Sequence, residues 1–263
     1  MSQNTVRPCP ICRSPATETF PARYVTAAKC ANQECGHVYA AQAVELQGVS
    51  EYPDPAEECR CFAERNRRLA YYFASRGVIR DHETVLDFGA GAGHIAMAVR
   101  EHFPTASLLC IEPNSQAQDW LVANRLHVLN GLEGVATGVD VVLLVEVLEH
   151  LDDPLGVLKS VATLLNPTGR VFVTTPCGET RSGSRPTKAY ETPLHVQFFT
   201  ERSLRRAMES AGLGPVEFLT VNELYPRNRG PAYLVSRAKD VLRPIRDRIQ
   251  GYHHLVTVVG HHL

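Results

Sequence analysis

The chain has 263 residues, 44% of them hydrophobic and 21% charged, with a formal net charge of -1. Such a composition suits a folded protein with one large domain and a small one, and excludes disordered and collagen-like chains; the near-neutral balance removes any global pull toward nucleic acid or an acidic membrane. MSQNTVRPCP lacks the apolar stretch of a signal peptide and no run approaches the roughly 18 apolar residues of a membrane span, so a cytoplasmic protein is expected.

In reducing surroundings the eight cysteines read as metal ligands or buried thiols rather than a disulfide framework. Four of them fall early, as Cys9-Pro-Ile-Cys12 and Cys30-Ala-Asn-Gln-Glu-Cys35. Two cysteine pairs on tight turns can converge on one tetrahedral Zn²⁺, and a segment this poor in apolar residues needs such a staple. Residues 1–50 are therefore expected to form a small ribbon around a structural zinc ion held by Cys9, Cys12, Cys30 and Cys35. The four-residue spacer of the second pair leaves His37 as an alternative to one thiolate. Cys59, Cys61, Cys110 and Cys177 are not expected to be ligands.

SEYPDP, residues 50–55, reads as an extended linker, and a second domain is assigned to residues 51–263. Its first helix runs from Glu57 to Arg76. Short apolar runs then alternate with amphipathic stretches: strands at Thr84–Phe88, Ser107–Glu112, His127–Asn130, Val139–Val147 and Arg170–Thr175, helices at His94–Phe103, Ser115–Arg125, Pro154–Leu165 and Glu201–Ala211. Asp153 and Thr200 are suitable helix caps, with Pro154 at a first helical position. Alternation of this kind predicts an α/β fold with a parallel sheet covered on both faces. Two further strands, Gly214–Val221 and His254–Val259, flank a basic insert at residues 222–251, whose simplest reading is a solvated helix pair broken at Pro244 and whose alternative is a phosphate or membrane contact.

The stretch LDFGAGAGH, residues 86–94, sets Gly89, Gly91 and Gly93 at alternate positions between a strand and a helix. Glycines so dense imply a tight turn or a close approach by a ligand, and in a doubly wound sheet this first strand-to-helix turn is the ligand site. The dinucleotide pattern would need glycine where His94 stands. The helix N-terminus favours a carboxylate, Glu112 ends the next strand where an acid binds two ribose hydroxyls, and Asp87 would welcome an ammonium and a sulfonium. Together these describe S-adenosylmethionine.

VLDFGAGAGH, CIEPN, VDVVLLVEVLEHLDDP, LLNPTGRVFVTTP and PLHVQFFTERSLRRAMESAGL, in that order and spacing, resemble the class I S-adenosylmethionine-dependent methyltransferases from about Glu57 onward. The resemblance implies a Rossmann-like, doubly wound, seven-stranded sheet with an antiparallel last strand, here preceded by the zinc ribbon. It implies that Asp87, Gly89, Gly91 and Gly93 hold the methionine part, Glu112 the ribose, and the NGLEG loop with Leu132 the adenine, Glu133 standing one place beyond the usual acid.

Methyl transfer needs an oriented acceptor and, for a hydroxyl, removal of a proton. Glu146, Glu149 and His150 open the loop after the fourth strand; Glu146 is expected nearest the transferred methyl group, and His150 is either a general base or a packing residue. His195 is the second candidate base. It follows the polar loop of residues 177–193, with Arg181, Arg185 and Lys188, which is long enough to close over an acceptor, and Tyr52 and Tyr190 are candidate lid residues. A small-molecule acceptor is expected, such as a sugar, nucleotide-linked or natural-product intermediate methylated on oxygen, nitrogen or carbon, and phosphate-bearing if those arginines and the insert contact it. Ribosomal-RNA methylation is the alternative, disfavoured because the ribbon carries only Arg7, Arg13, Arg23 and Lys29 as basic residues. A non-catalytic zinc-bearing binding module and a nicotinamide oxidoreductase are further alternatives, opposed by the intact Asp87, glycine loop and Glu112.

Overall fold

The computed structural model describes residues 6–43, 54–178, 188–219 and 254–260. Tyr52, Arg181, Arg185 and the insert at 222–251 lie outside them.

The N-terminal segment forms three antiparallel strands, β1 (Ala16–Pro21), β2 (Thr26–Cys30) and β3 (Val38–Ala40). After it comes the helix α1 (Pro55–Ser75), opened by Asp54, whose carboxylate accepts from the Ala56 amide, with Pro55 in its first turn. That pairing of cap and proline suits a helix start because the proline lacks the N–H a first turn cannot bond.

β/α alternation follows: β4 (Thr84–Phe88), α2 (His94–His102), β5 (Ser107–Ile111), α3 (Ser115–Ala123), β6 (His127–Leu129), β7 (Val139–Val145), α4 (Pro154–Leu164) and β8 (Leu165–Pro176). Then come β9 (Gln197–Phe198), α5 (Glu201–Ser210), β10 (Val216–Leu219) and β11 (His254–Gly260). The large sheet has the order β10-β11-β8-β7-β4-β5-β6, parallel from β6 through β8, with β11 antiparallel to both its neighbours. This is the doubly wound seven-stranded arrangement expected from the sequence. The strand order reverses between β4 and β7, which puts the ligand cleft at the carboxyl ends of those strands.

Central strands read as unbroken apolar runs because both their faces are buried. Leu86, Val142, Leu144, Val171 and Val173 pack toward α4 and α5, on Leu155, Leu158, Leu204 and Met208. Val85, Val141, Leu143 and Phe172 point the other way, onto Leu69, Tyr72 and Phe73 of α1 and Ile95 and Val99 of α2. Arg170, at the start of the inner part of β8, is buried and forms a short ion pair with Glu83 while donating to the Val78 carbonyl at 2.7 Å.

β8 begins five residues earlier than the apolar run suggests. LNPTG joins it through an irregularity in the pairing with β7, fastened where Asn166 donates to the Gly138 carbonyl at 2.9 Å and to the Asp140 carboxylate at 2.6 Å.

The ribbon is not a separate bead. Cys9, Ile11, Ala28 and Tyr39 belong to the same apolar cluster as α4 and α5, and β9 adds a fourth strand to the ribbon sheet by pairing with β3, Val38 opposite Phe198 and Tyr39 opposite Gln197. Gln197 fixes this junction. Its side-chain carbonyl meets His37 Nε2 at 3.0 Å, and its amide donates to the Leu151 carbonyl at 2.7 Å and toward the Asp152 carbonyl at 3.4 Å. Replacing Gln197 by Leu would strand these buried groups, and we expect a loss of about 1–3 kcal/mol in urea unfolding; an unchanged midpoint would show that the junction does not hold the ribbon.

Candidate active site

Gly89 and Gly93 both lie in the left-handed region, at φ 75° and 72°. A Cβ on Gly89 would come within 2.6 Å of Val147, and one on Gly93 within 2.3 Å of Leu121, so the loop admits no side chain at either place. The loop is bound to the end of β5: the Gly89 and Ala90 amides donate to the Ile111 carbonyl at 2.8 and 3.0 Å, and the Gly91 amide to Glu112 Oε2 at 2.8 Å. What it offers a ligand is a bare, closely packed turn.

Glu112 is buried, and its other carboxylate oxygen, Oε1, accepts from the Asn114 amide at 2.9 Å. Two amide donors fix the carboxylate, and each oxygen retains a second lone pair for an incoming hydroxyl. Asp87 sits deeper, 3% exposed. Burial pushes its carboxyl up to about 7, the Ala96 amide opposes that rise and the charge of Glu112 adds to it. Its Oδ2 is buried with no hydrogen-bond partner among the described residues.

The sequence pattern did not disclose what covers the glycine loop. Cys59 Sγ on α1 and Trp120 Nε1 on α3 both donate to the Ala92 carbonyl, at 3.3 and 3.1 Å. Asn66 on α1 meets His94 Nδ1 at 2.8 Å; burial, with a smaller push from Arg65, lowers the His94 imidazole to about 4. Cys59 and Asn66 of α1 are thus committed to the glycine loop and the helix that follows it. Leu132 lies half-buried in the single turn Leu132–Gly134 that follows β6, and the Glu133 carboxylate folds back against Gly131.

At the end of β7, Glu146 takes a left-handed backbone at φ 58°, a conformation that costs a non-glycine residue energy and is common where a site requires it. Its carboxylate accepts from the Thr174 hydroxyl at 2.7 Å and its amide donates to the Thr174 carbonyl at 2.9 Å. Glu149, three residues on, is 1% exposed. Burial first and the charge of Glu146 second hold its carboxyl well above the usual carboxylate range. Thr175 lies beside it without completing a hydrogen bond of ordinary geometry, and neither Glu149 oxygen has a partner among the described residues.

His150 and His195 come together, their rings 4.9 Å apart and steeply inclined. His150 Nδ1 faces the Leu194 carbonyl at 3.0 Å, His195 Nδ1 the Ala189 carbonyl at 2.9 Å, and the Val196 amide donates to the Glu149 carbonyl at 2.8 Å. The two histidine-bearing segments, 45 residues apart in the chain, are thereby laced together beside Glu149. Tyr190 is buried against Phe198 with stacked rings 4.1 Å apart.

In the ribbon, the sulfurs of Cys9, Cys12, Cys30 and Cys35 all lie within 4.8 Å of one another. Cys9 and Cys35 are 3.8 Å apart, Cys12 and Cys30 3.3 Å. A tetrahedron with metal–sulfur bonds of about 2.3 Å has edges of about 3.8 Å, close to this spacing. Cys9 is drawn down to about 5 chiefly by the Cys35 thiol, whereas burial lifts Cys30 to about 12. His37 stands outside the converging set, its ring turned to Gln197 and stacked on Tyr39.

A family model described as a methyltransferase domain matches residues 56–217. The ubiquinone biosynthesis O-methyltransferase of Aeromonas salmonicida is 38% identical over 90 residues, an alignment spanning 28% of this chain and 35% of that protein's length. Among solved structures, a chain from the complex of the Haloferax volcanii Trm112 methyltransferase activator with a methyltransferase superposes with a TM-score of 0.59 at 19% identity, over 80% of this chain and 96% of that one. The 1,6-didemethyltoxoflavin-N1-methyltransferase of Burkholderia thailandensis, solved with S-adenosylhomocysteine, gives 0.52 at 18% identity, over 86% and 96% of the two chains. Identities this low are a likeness of fold alone. The family match, however, covers more than half of the chain, and with the strand order and glycine loop it makes the protein a member of the class I S-adenosylmethionine-dependent methyltransferases.

Proposed function

We propose that this enzyme transfers the methyl group of S-adenosylmethionine to a hydroxyl of a small-molecule acceptor. The observation that carries this reading is the cluster of His150, His195 and Glu149 laced together at the carboxyl end of β7, where a hydroxyl would have to be held and deprotonated. The relatives named as ubiquinone biosynthesis O-methyltransferases support oxygen as the acceptor atom.

On this reading Gly89, Gly91 and Gly93 shape the seat of the methionine part and Glu112 accepts from the ribose hydroxyls through its remaining lone pairs. Leu132 flanks the adenine. The orphaned Oδ2 of Asp87 suits a cofactor that carries an ammonium and a sulfonium. Glu146, held by Thr174, faces the region of the transferred methyl, and His150 and His195 serve the acceptor. Residues 1–50 act as the ribbon and 51–263 as the methyltransferase unit; the four ribbon cysteines hold a structural zinc, which their sulfur spacing fits.

A small molecule is favoured over RNA because the ribbon's basic residues are largely spoken for. Arg7 pairs with Asp152, Arg13 lies 3.8 Å from Asp153, and Lys29 lies 3.6 Å from Glu18. Such a surface leaves little free positive charge for a phosphate backbone.

Calorimetric titration with S-adenosylhomocysteine tests the cofactor site: Glu112→Ala is expected to weaken binding by about tenfold or more, the loss of charge-assisted bonds to the ribose. Equal affinity in the variant removes Glu112 from the site. Because a cationic cofactor favours the ionised carboxylate, binding of S-adenosylmethionine must expel a proton from Asp87 below its folded value of about 7. Affinity is therefore expected to fall as the pH drops from about 7 toward 5, and Asp87→Asn to flatten that dependence; a profile identical in the two proteins would separate Asp87 from the cofactor's charge. For the acceptor, labelled methyl transfer to a panel of phenolic and sugar hydroxyls is expected, with His195→Ala lowering kcat by about 10²-fold or more while cofactor affinity holds. Transfer to RNA alone would replace the small-molecule reading.

A further inference from the structure

Resting on the hydroxyl-methylation reading, we propose that Glu149, His150 and His195 form a second metal site, separate from the four cysteines, that takes a divalent first-row transition cation and presents it to the acceptor oxygen. Three observations carry it. The ligating atoms of the three residues already lie within 4.8 Å of one another. Each histidine turns Nδ1 to a backbone carbonyl, Leu194 for His150 and Ala189 for His195. A carbonyl only accepts, so Nδ1 carries the proton and Nε2 the lone pair, the arrangement by which proteins orient metal-bound imidazoles. Glu149, finally, is 1% exposed with neither oxygen bonded among the described residues. A buried carboxylate left without donors is costly, and a cation between it and the imidazoles removes that cost.

The ligand set also selects the ion. Two imidazoles and one carboxylate are harder than four thiolates and suit Mn²⁺, Fe²⁺, Co²⁺ or Zn²⁺. Three protein ligands leave positions open, as catalytic metals require. The site is built before the ion arrives: the Val196 amide ties His195's segment to the Glu149 carbonyl, and Gln197, one residue further, ties it to Leu151. In the reaction the cation binds the acceptor hydroxyl oxygen and makes it more acidic, the O–H proton leaves to water, and an oxygen lone pair forms the new C–O bond. The C–S bond breaks at the same time, its electron pair returning to sulfur, so the sulfonium becomes the neutral thioether of S-adenosylhomocysteine. No oxidant or reductant is needed.

The test is a titration of the full chain, its ribbon loaded with zinc and excess metal removed, with Mn²⁺ alone, free Mn²⁺ being read by electron paramagnetic resonance. Mn²⁺ discriminates because it competes poorly for thiolates. A single Mn²⁺ bound per zinc-loaded chain is expected, with affinity at least about tenfold weaker in Glu149→Gln and in His150→Ala. His150 is partly exposed, with 30% of its side chain accessible, so that variant keeps the test open should the buried substitution fail to fold. S-adenosylhomocysteine binding is measured on the same samples. Absence of Mn²⁺ binding in a protein that still binds S-adenosylhomocysteine overturns the metal site and leaves the methyltransferase reading intact, as does Mn²⁺ binding that neither variant weakens. Mn²⁺ binding that both variants weaken, in a protein that does not bind S-adenosylhomocysteine, supports the metal site and sinks the cofactor reading on which its use was based.

Discussion

The side-chain amide of Gln197 is the point on which the two halves of the molecule agree. It is buried to 1% exposure, and a primary amide out of water must place both its donors and its acceptor or forfeit their hydration. It does so across two segments, its carbonyl accepting from His37 of the ribbon and its amide donating to the Leu151 and Asp152 carbonyls of the loop after β7. Through that one group the register of β3 on β9, the position of His195 two residues earlier and the course of the loop that carries Glu149 and His150 are set together. The ribbon is thus packed against the segment that carries Glu149 and His150 rather than hung from it as an appendage.

Four acidic residues, Asp87, Glu112, Glu146 and Glu149, line the carboxyl ends of β4, β5 and β7, yet they are not equivalent. Glu112 is supplied with two amide donors and Glu146 with a hydroxyl. Asp87 and Glu149 are buried with oxygens left over, and burial favours their neutral forms. One kind of side chain is therefore held in two kinds of surroundings within one cleft, with donors or without them. The two that resist ionisation are the ones to which an arriving cation means most.

Much of this was legible in the sequence, and the reasons are physical. Parallel strands buried on both faces leave continuous apolar runs such as VDVVLLV, and a tight strand-to-helix turn leaves glycines, so β4, β7 and the loop between β4 and α2 can be read locally. The ribbon cysteines announce themselves by spacing. What escaped depends on partners far along the chain. β9 is two residues of HVQFF, too short for any periodicity, and exists because β3 offers it an edge. The left-handed Glu146 carries no signal at all, since nothing in its type requires that backbone. The LNPTG segment looks like a turn until Asn166 finds Gly138 and Asp140 across the sheet. Likewise, Cys59 and Asn66 pass for the polar face of α1 until α2 and the glycine loop lie beneath them.

That the ribbon borrows its fourth strand from residues 197–198 has a consequence for how the chain is made. The separation between His37 and Gln197 is 160 residues, and at a synthesis rate of ~5–20 residues per second that stretch takes on the order of 10–30 s to emerge. The β1–β3 strands are complete early, but the outer edge of β3 stays open until residues 197–198, in the last third of the chain, have left the ribosome. Hairpin formation and sheet completion are thus separated in time, and during that interval the edge of β3 is open to pairing with any strand that meets it.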